Sequence, residues 1–222
     1  FEFCTPIQAS TLPIALKPSD VAGQAQTGTG KTAAFLIAAY QRVLSSEGER
    51  PEQRQPLVFA LAPTRELAIQ IAKDAEVLGA HTGLKIGLAY GGTDYEKQRK
   101  RLSDGVDLLI GTPGRIIDFF KQGVFKLDRV EVAILDEADR MLDMGFRDDV
   151  EKILRKASGQ RQTIFFSATI SSSIKNLVEE FSTDPQYITV EHNAGQEAPL
   201  VTEIGFKVRH QMKFDALLRI LR

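Results

Sequence analysis

A chain of 222 residues that is 43% hydrophobic and 26% charged has the make-up of an ordinary globular domain, which excludes a disordered or fibrous protein. Lys and Arg total 28 against 29 Asp and Glu, so no global positive field draws in a polyanion, and any nucleic-acid contact must be local. The single cysteine, Cys4, excludes an intrachain disulfide and a Cys-rich metal knuckle, and points to a reducing, cytoplasmic setting.

The first residues, FEFCTP, lack both the basic and the apolar region of a signal peptide and read as a chain that begins inside a longer polypeptide. DVAGQ at 20–24 reads as a buried strand, and the helix pattern TAAFLIAAYQRVL follows at 32–44. Its apolar run ends at Gln41 and Arg42, far short of the roughly 20 residues that span a bilayer, so no membrane segment is expected. Apolar runs at 57–62, 84–90, 106–110, 130–136 and 163–166 suit strands buried on both faces, while 65–80 and 95–102 carry helical spacing. That alternation predicts an α/β fold, a mostly parallel central sheet with helices on both faces, whose ligands gather at the carboxyl ends of the strands. YITV at 187–190 gives a last strand, and the polar stretch 191–200 reads as a linker. Beyond it, EIGFKVRH at 203–210 predicts a strand, and 211–222 an amphipathic helix whose stripe is Phe214, Leu217, Leu218 and Leu221. An apolar stripe of this kind is expected to pack on a neighbouring chain or back on the domain. Cys4, Met141, Met144 and the histidines at 81, 192 and 210 carry no signal beyond structural or solvated roles.

Two stretches carry chemistry. In AQTGTGKT at 25–32, Thr27, Gly28, Thr29 and Gly30 form a loop whose backbone N–H groups can turn toward phosphate oxygens. Lys31 can reach the β- and γ-phosphates, and the Thr32 hydroxyl can meet Mg²⁺. The helix that follows adds its N-terminal dipole to the same anion. Ala25 stands where the strict pattern has its first glycine. The second stretch, LDEAD at 135–139, closes a buried strand. Asp136 there is placed to hold Mg²⁺ through its waters, and Glu137 to polarise an attacking water.

Together with TPIQ at 5–8, PTREL at 63–67, Gly91-Gly92, TPGR at 112–115 and SAT at 167–169, these stretches make the chain resemble the first RecA-like domain of DEAD-box RNA helicases. The motifs stand in family order along nearly the whole chain. DVAGQAQTGTGKT and GLAYGG are most similar to the bacterial RhlB-type members. The resemblance implies a P-loop NTPase that binds ATP with Mg²⁺ and spends it on local unwinding of RNA. Gln8 would select adenine by paired hydrogen bonds, and Phe1 is the match for an aromatic that stacks on the base. Pro63, Thr64, Arg65, Gly91, Gly92, Thr112, Pro113, Gly114 and Arg115 would contact RNA backbone with weak sequence preference. Thr64 and Pro113-Gly114 also suit a helix cap and a turn. Asp139, Ser167, Ala168 and Thr169 would couple the nucleotide site to domain movement.

On the same resemblance, residues 1–190 form the ATP-binding domain, 191–200 a linker, and 201–222 the start of a second RecA-like domain that supplies arginine fingers and half the RNA surface. Little hydrolysis is expected without that domain. The implied partners are single-stranded or locally duplex RNA, the second domain, and an RNA-decay or ribosome-assembly complex. Another P-loop ATPase would turn over ATP without regard to RNA, and PTREL and TPGR argue against it. An RNA-binding scaffold would ignore nucleotide, against which Lys31, Asp136 and Glu137 argue.

Overall fold

The computed structural model describes residues 3–46, 54–190 and 204–221, and the chain divides into two units, Phe1–Val190 and Glu191–Arg222. Phe1 and the 191–200 linker lie outside the described residues.

In the first unit, aliphatic and aromatic runs of four to six residues set the strands: β1 (Val21–Gln24), β2 (Val58–Leu61), β3 (Ile86–Ala89), β4 (Leu108–Gly111), β5 (Val132–Leu135), β6 (Gln162–Ser167) and β7 (Gln186–Thr189). They form one sheet in the order β3-β4-β2-β5-β6-β1-β7, parallel throughout. Every residue of β2, β4, β5 and β6 is buried, as a parallel sheet covered on both faces requires. The edge strands differ: β3 alternates between buried and half-buried positions, and only Ile188 of β7 is buried.

Before β1 comes α1 (Pro6–Ala15), and between the strands run α2 (Lys31–Leu44), α3 (Arg65–Leu78), α4 (Tyr95–Ser103), α5 (Pro113–Lys121), α6 (Ala138–Asp143), α7 (Arg147–Lys156) and α8 (Ser172–Phe181). Because successive strand residues point to opposite faces, the core has two halves. Val58, Ala60, Val132, Ile134, Ile164 and Phe166 pack against α1, α2 and α3. Phe59, Leu61, Leu109, Ala133, Leu135 and Phe165 face the helices from α4 to α8. The sheet therefore presents its carboxyl edge as a row of loops, each leading from a buried strand into a helix seated on that core.

In the second unit, His210–Met212 forms a turn of 3₁₀-helix and α9 (Lys213–Ile220) follows. Residues 204–209 have no regular structure, which corrects the strand expected at 203–210 over its described part. Alternating apolar residues specify one face of a strand but supply no neighbour to bond to, and an isolated strand is not stable. Phe214, Leu217, Leu218 and Leu221 are exposed. Among the described residues no helix is long and apolar enough to cross a membrane.

Candidate functional site

The loop after β1 turns back over the start of α2. Gly28 and Gly30 sit at φ 82° and 88°, a region that L side chains rarely enter. A Cβ at Gly30 would also stand 2.6 Å from Gln8 Nε2, so this turn needs glycine on two counts. Lys31 follows as the first residue of α2, and its ammonium lies 2.8 Å from Asp136 Oδ1, with the two side chains 5% and 0% exposed. Burial pushes the Asp136 carboxyl up from its usual range, and the Lys31 charge pulls it back.

Asp136 is placed at the sheet edge by β5, since its N–H continues the ladder onto Leu61 O at 3.0 Å. Its Oδ1 also accepts from Glu137 N at 3.0 Å, whereas Oδ2 is buried with no protein partner. A buried oxygen left in that state costs free energy unless a water or ion satisfies it. Among the described residues no group of three acidic, His or Cys side chains could cage a metal. The donor set, one carboxylate oxygen with the nearby Thr32 hydroxyl, suits a cation that keeps most of its waters and completes its shell on phosphates.

Glu137 adopts a left-handed backbone, φ 53° and ψ 51°, a conformation that costs a non-glycine residue about 1–3 kcal/mol. Its side chain is held from both sides: Thr27 Oγ1 donates to Oε1 at 2.9 Å and Arg140 Nη1 to Oε2 at 3.2 Å. The carboxylate thus faces the phosphate loop in one orientation, while Arg140 remains 59% exposed on the other side.

Gln8 caps α1 with Thr5, accepting from Thr5 N at Oε1 (3.0 Å) and donating from Nε2 to Gly30 O (3.0 Å). A primary amide has two N–H groups and two acceptor lone pairs. One of each is engaged, so one N–H and one lone pair remain for a bidentate partner in the cleft. That cleft, about 310 Å³, is lined by Gln8, Thr27, Gly28, Gly30, Lys31, Thr32 and Asp136 on one side, with Leu67, Gln70 and Asp74 of α3 on the other. Burial raises the Asp74 carboxyl above its usual range. The backbone of Thr29 shares the loop, and its hydroxyl donates to Gln26 O at 2.8 Å.

The third strand end on this side is that of β6. Thr169 donates to Asp139 Oδ2 through both N and Oγ1, each at 2.9 Å, and Asp139 N donates to Ser167 Oγ at 3.2 Å. Ala168 O accepts from Gln24 Nε2 at 3.2 Å, joining the same turn to β1. Burial would raise the Asp139 carboxyl, but the Thr169 bonds, the Arg140 N–H and Ser167 outweigh it and hold it below the usual range. A carboxyl depressed in the folded state contributes stability above its unfolded value of about 3.9, and that stability is lost as pH falls through the folded value. Asp139→Asn is therefore expected to lower stability at neutral pH and to flatten the decline below about pH 4, read as urea midpoints across an acid series. An unchanged acid limb would remove the carboxylate from this turn's stabilisation.

The remaining motif residues meet on the other half of the edge, at β3, β4 and β2. Pro63 is buried, and Thr64 caps α3 by accepting from Leu67 N at 3.3 Å. Arg65 lies over the Tyr90 ring at 5.2 Å and donates to Gly92 O at 3.4 Å, tying this loop to Gly91 and Gly92, which are exposed. Thr112 donates its N–H to Ala89 O at 3.0 Å, and Pro113 opens α5 with Gly114 behind it. Arg115 stacks over Tyr95 at 4.8 Å and Phe119 at 5.5 Å. Cap, turn and loop-to-loop tie coexist in the same residues. Sequence reasoning did not find Arg140, Tyr90, Tyr95, Gln70 or Asp74; only Arg140, three residues beyond Glu137 on one helical face, had a legible signal.

A glycine loop with a buried lysine–aspartate pair, brought together at the carboxyl ends of β1 and β5 across β6 in one parallel sheet, defines a P-loop nucleotide-binding domain of RecA-like architecture. Residues 5–177 match the DEAD/DEAH box helicase family, and the chain belongs to it. It is 54% identical over 193 residues to the ATP-dependent RNA helicase RhlB of Pasteurella multocida, across 86% of this chain and 45% of that protein. It is also 54% identical over 218 residues to RhlB of Histophilus somni, across 97% of this chain and 50% of that one. The crystal structure of a DEAD box protein from the hyperthermophile Methanococcus jannaschii matches with a TM-score of 0.77 at 37% identity, over 98% of this chain and 57% of that chain. The RhlB-type resemblance read from the sequence is thus borne out, and the chain spans about half the length of the curated relatives it matches.

Proposed function

We propose that this chain is the ATP-binding half of an ATP-dependent RNA helicase, coupling ATP hydrolysis to local unwinding of short RNA duplexes or remodelling of RNA–protein complexes. One observation carries the reading. The carboxyl edge of a single sheet is divided in two: Lys31, Asp136, Glu137 and the SAT turn gather at β1, β5 and β6, and Arg65, Gly91-Gly92 and Thr112 to Arg115 gather at β2, β4 and β3. The first half suits a triphosphate, and the second offers a phosphodiester chain the exposed Gly91-Gly92 backbone and the exposed Arg65, with the half-buried Arg115 beside them.

In this reading Gln8 selects adenine with the N–H and lone pair left over from Thr5 and Gly30. Thr32 and Asp136 hold Mg²⁺ through its waters, and the ion supplies neutralisation of the phosphate charge. Glu137 orients the attacking water, and Asp139 with Ser167 and Thr169 transmits the state of the site. Residues 201–222 begin a second RecA-like domain, whose arginine finger is worth on the order of a thousandfold or more in phosphoryl transfer. The chain by itself then binds ATP and hydrolyses it slowly. RNA, the second domain and an RNA-decay or ribosome-assembly complex are the partners, in a cytoplasmic setting.

Calorimetry with ATP and GTP, followed by ATPase rates with and without single-stranded RNA, tests the proposal. The expected result is preference for ATP, with near-zero turnover for the isolated chain and RNA-stimulated turnover once the second domain is supplied. Turnover indifferent to RNA with both domains present would overturn it.

A further inference from the structure

The chain's net charge of −1 obliges a polyanion to find local cations, and their densest run is one the motifs do not absorb: KQRKR at 97–101, within α4. Lys97, Arg99, Lys100 and Arg101 are all exposed, on a helix that seats only Leu102 in the core. The spacing is ordered. Lys97, Lys100, Arg101 and Asp104 stand at i, i+3, i+4 and i+7, one face of the helix. That face lines an open cleft of about 590 Å³, to which Lys85 adds a further cation and Glu76 and Asp104 two carboxylates. On the adjoining stripe Arg99 pairs with Glu96 at 3.7 Å, an exposed pair of little energetic weight. Among the described residues Lys97, Lys100 and Arg101 have no carboxylate partner.

What distinguishes this run from an ordinary solvated face is how rigidly α4 is joined to the part of the sheet edge that carries Arg65, Gly91-Gly92 and Thr112 to Arg115, the three-motif edge. Gln98 clamps the Gly91-Gly92 loop, accepting from Tyr90 N at 3.0 Å and donating to Tyr90 O at 3.1 Å. Tyr95, at the start of the helix, stacks on Phe119 of α5 at 4.8 Å and carries the Arg115 guanidinium on its ring. At the other end Gly87 of β3 lets the helix lie close, since a Cβ there would stand 2.6 Å from Leu102. The cations are therefore held in fixed register with both Gly92 and Arg115.

We infer that the Lys97–Lys100–Arg101 face of α4 is an additional RNA-backbone site, taking phosphates of the strand beyond those at the three-motif edge. The inference rests on the reading of that edge as an RNA surface. Phosphate contacts of this kind add affinity and salt dependence without sequence preference. They carry the footprint from the carboxyl edge down the β3 side of the sheet toward the amino ends of β3 and β4, where Gly83 to Ile86 and Asp104 to Val106 complete the cleft.

The test is fluorescence anisotropy of this chain, with ATP analogue present, on two labelled single-stranded RNAs: one long enough only for the three-motif edge, and one extended beyond it. The longer RNA is expected to bind tighter. Lys97→Gln/Lys100→Gln/Arg101→Gln and the corresponding triple Glu variant should remove that gain and leave the short RNA's affinity and ATP binding unchanged. With the longer RNA the slope of log affinity against log salt should fall in magnitude by about 2, three contacts at about 0.7 each. Circular dichroism confirms folding, and the Gln variant, which adds no repulsive charge, guards against a merely electrostatic loss. If the short RNA binds but the longer gains nothing, or if the gain and its salt slope survive both variants, the inference is wrong and the face is left for an acidic protein. Failure of even the short RNA to bind would instead sink the RNA reading of the edge.

Discussion

Replacing Lys31 by alanine is expected to lower the stability of the ligand-free protein by about 3–5 kcal/mol as well as to abolish ATP binding. The first effect follows from the pair's burial. With Asp136 fully buried and its carboxyl already pushed up by desolvation, the Lys31 ammonium at 2.8 Å is the charge that compensates it. Removing one member of such a pair strands the other, whereas replacing both is nearly neutral. Lys31→Met combined with Asp136→Leu should therefore recover most of the stability, read as urea midpoints, and recover none of the ATP affinity. A Lys31→Ala protein that bound ATP normally would end the phosphate-site reading. One that unfolded at the original urea concentration would show that the pair does not contribute to stability in this way.

That pair also shows what a sequence makes legible. GKT and DEAD announce themselves because each is a local pattern, a loop that needs glycine and a carboxylate run closing an apolar strand. Their meeting across 105 positions is fixed by strand order, β5-β6-β1, which only the alternation of strands and helices hints at. The strands were readable for the same reason: Leu57 to Ala62 and Val130 to Asp136 are runs that only a doubly covered sheet can bury. Their ends were not, since the residues just past each strand continue the apolar pattern while bending into loops. The strand expected at 203–210 marks the opposite failure: over its described stretch, 204–209, the alternating pattern found no neighbouring strand among the described residues.

In the site, residues carry structural duties beside the roles proposed for them, and for Thr64 the helix cap was already one of the readings that the sequence offered. Gln8 caps a helix and braces the phosphate loop, and Thr64 caps α3 within a motif read as RNA-binding. Partner identities depend on side chains meeting in space, so Tyr90 beneath Arg65 and Tyr95 beneath Arg115 carried no sequence signal. The division of the sheet edge into the two halves proposed for nucleotide and for nucleic acid is likewise a property of topology. It places Lys31 and Arg65 at the first residues of two helices, α2 and α3, seated on one sheet, the arrangement that the proposed coupling of the two functions requires.

Glu137→Gln is expected to cut ATP turnover by about 10²–10⁴-fold, the usual worth of a positioned acid–base group, while ATP affinity stays within a few-fold. The substitution is nearly isosteric, and Thr27 Oγ1 can still donate to the amide oxygen, so the left-handed turn and the phosphate loop it braces should persist. What is lost is the negative charge that polarises water, together with the ion pair to Arg140, whose 59% exposure makes it a minor contributor to stability. Single-turnover hydrolysis with RNA and the two-domain protein in excess over ATP gives a rate high enough to follow such a fall and separates chemistry from binding. Arg140→Ala supplies the contrast: it frees Glu137 Oε2 but leaves Thr27 and the backbone to aim the carboxylate, so its rate should fall far less than that of the Gln variant. If the two variants slowed turnover equally, the ion pair and not the carboxylate's basicity would be the functional element. If Glu137→Gln lost affinity and rate in parallel, its carboxylate would belong to nucleotide binding, and the water would have to be activated by another group.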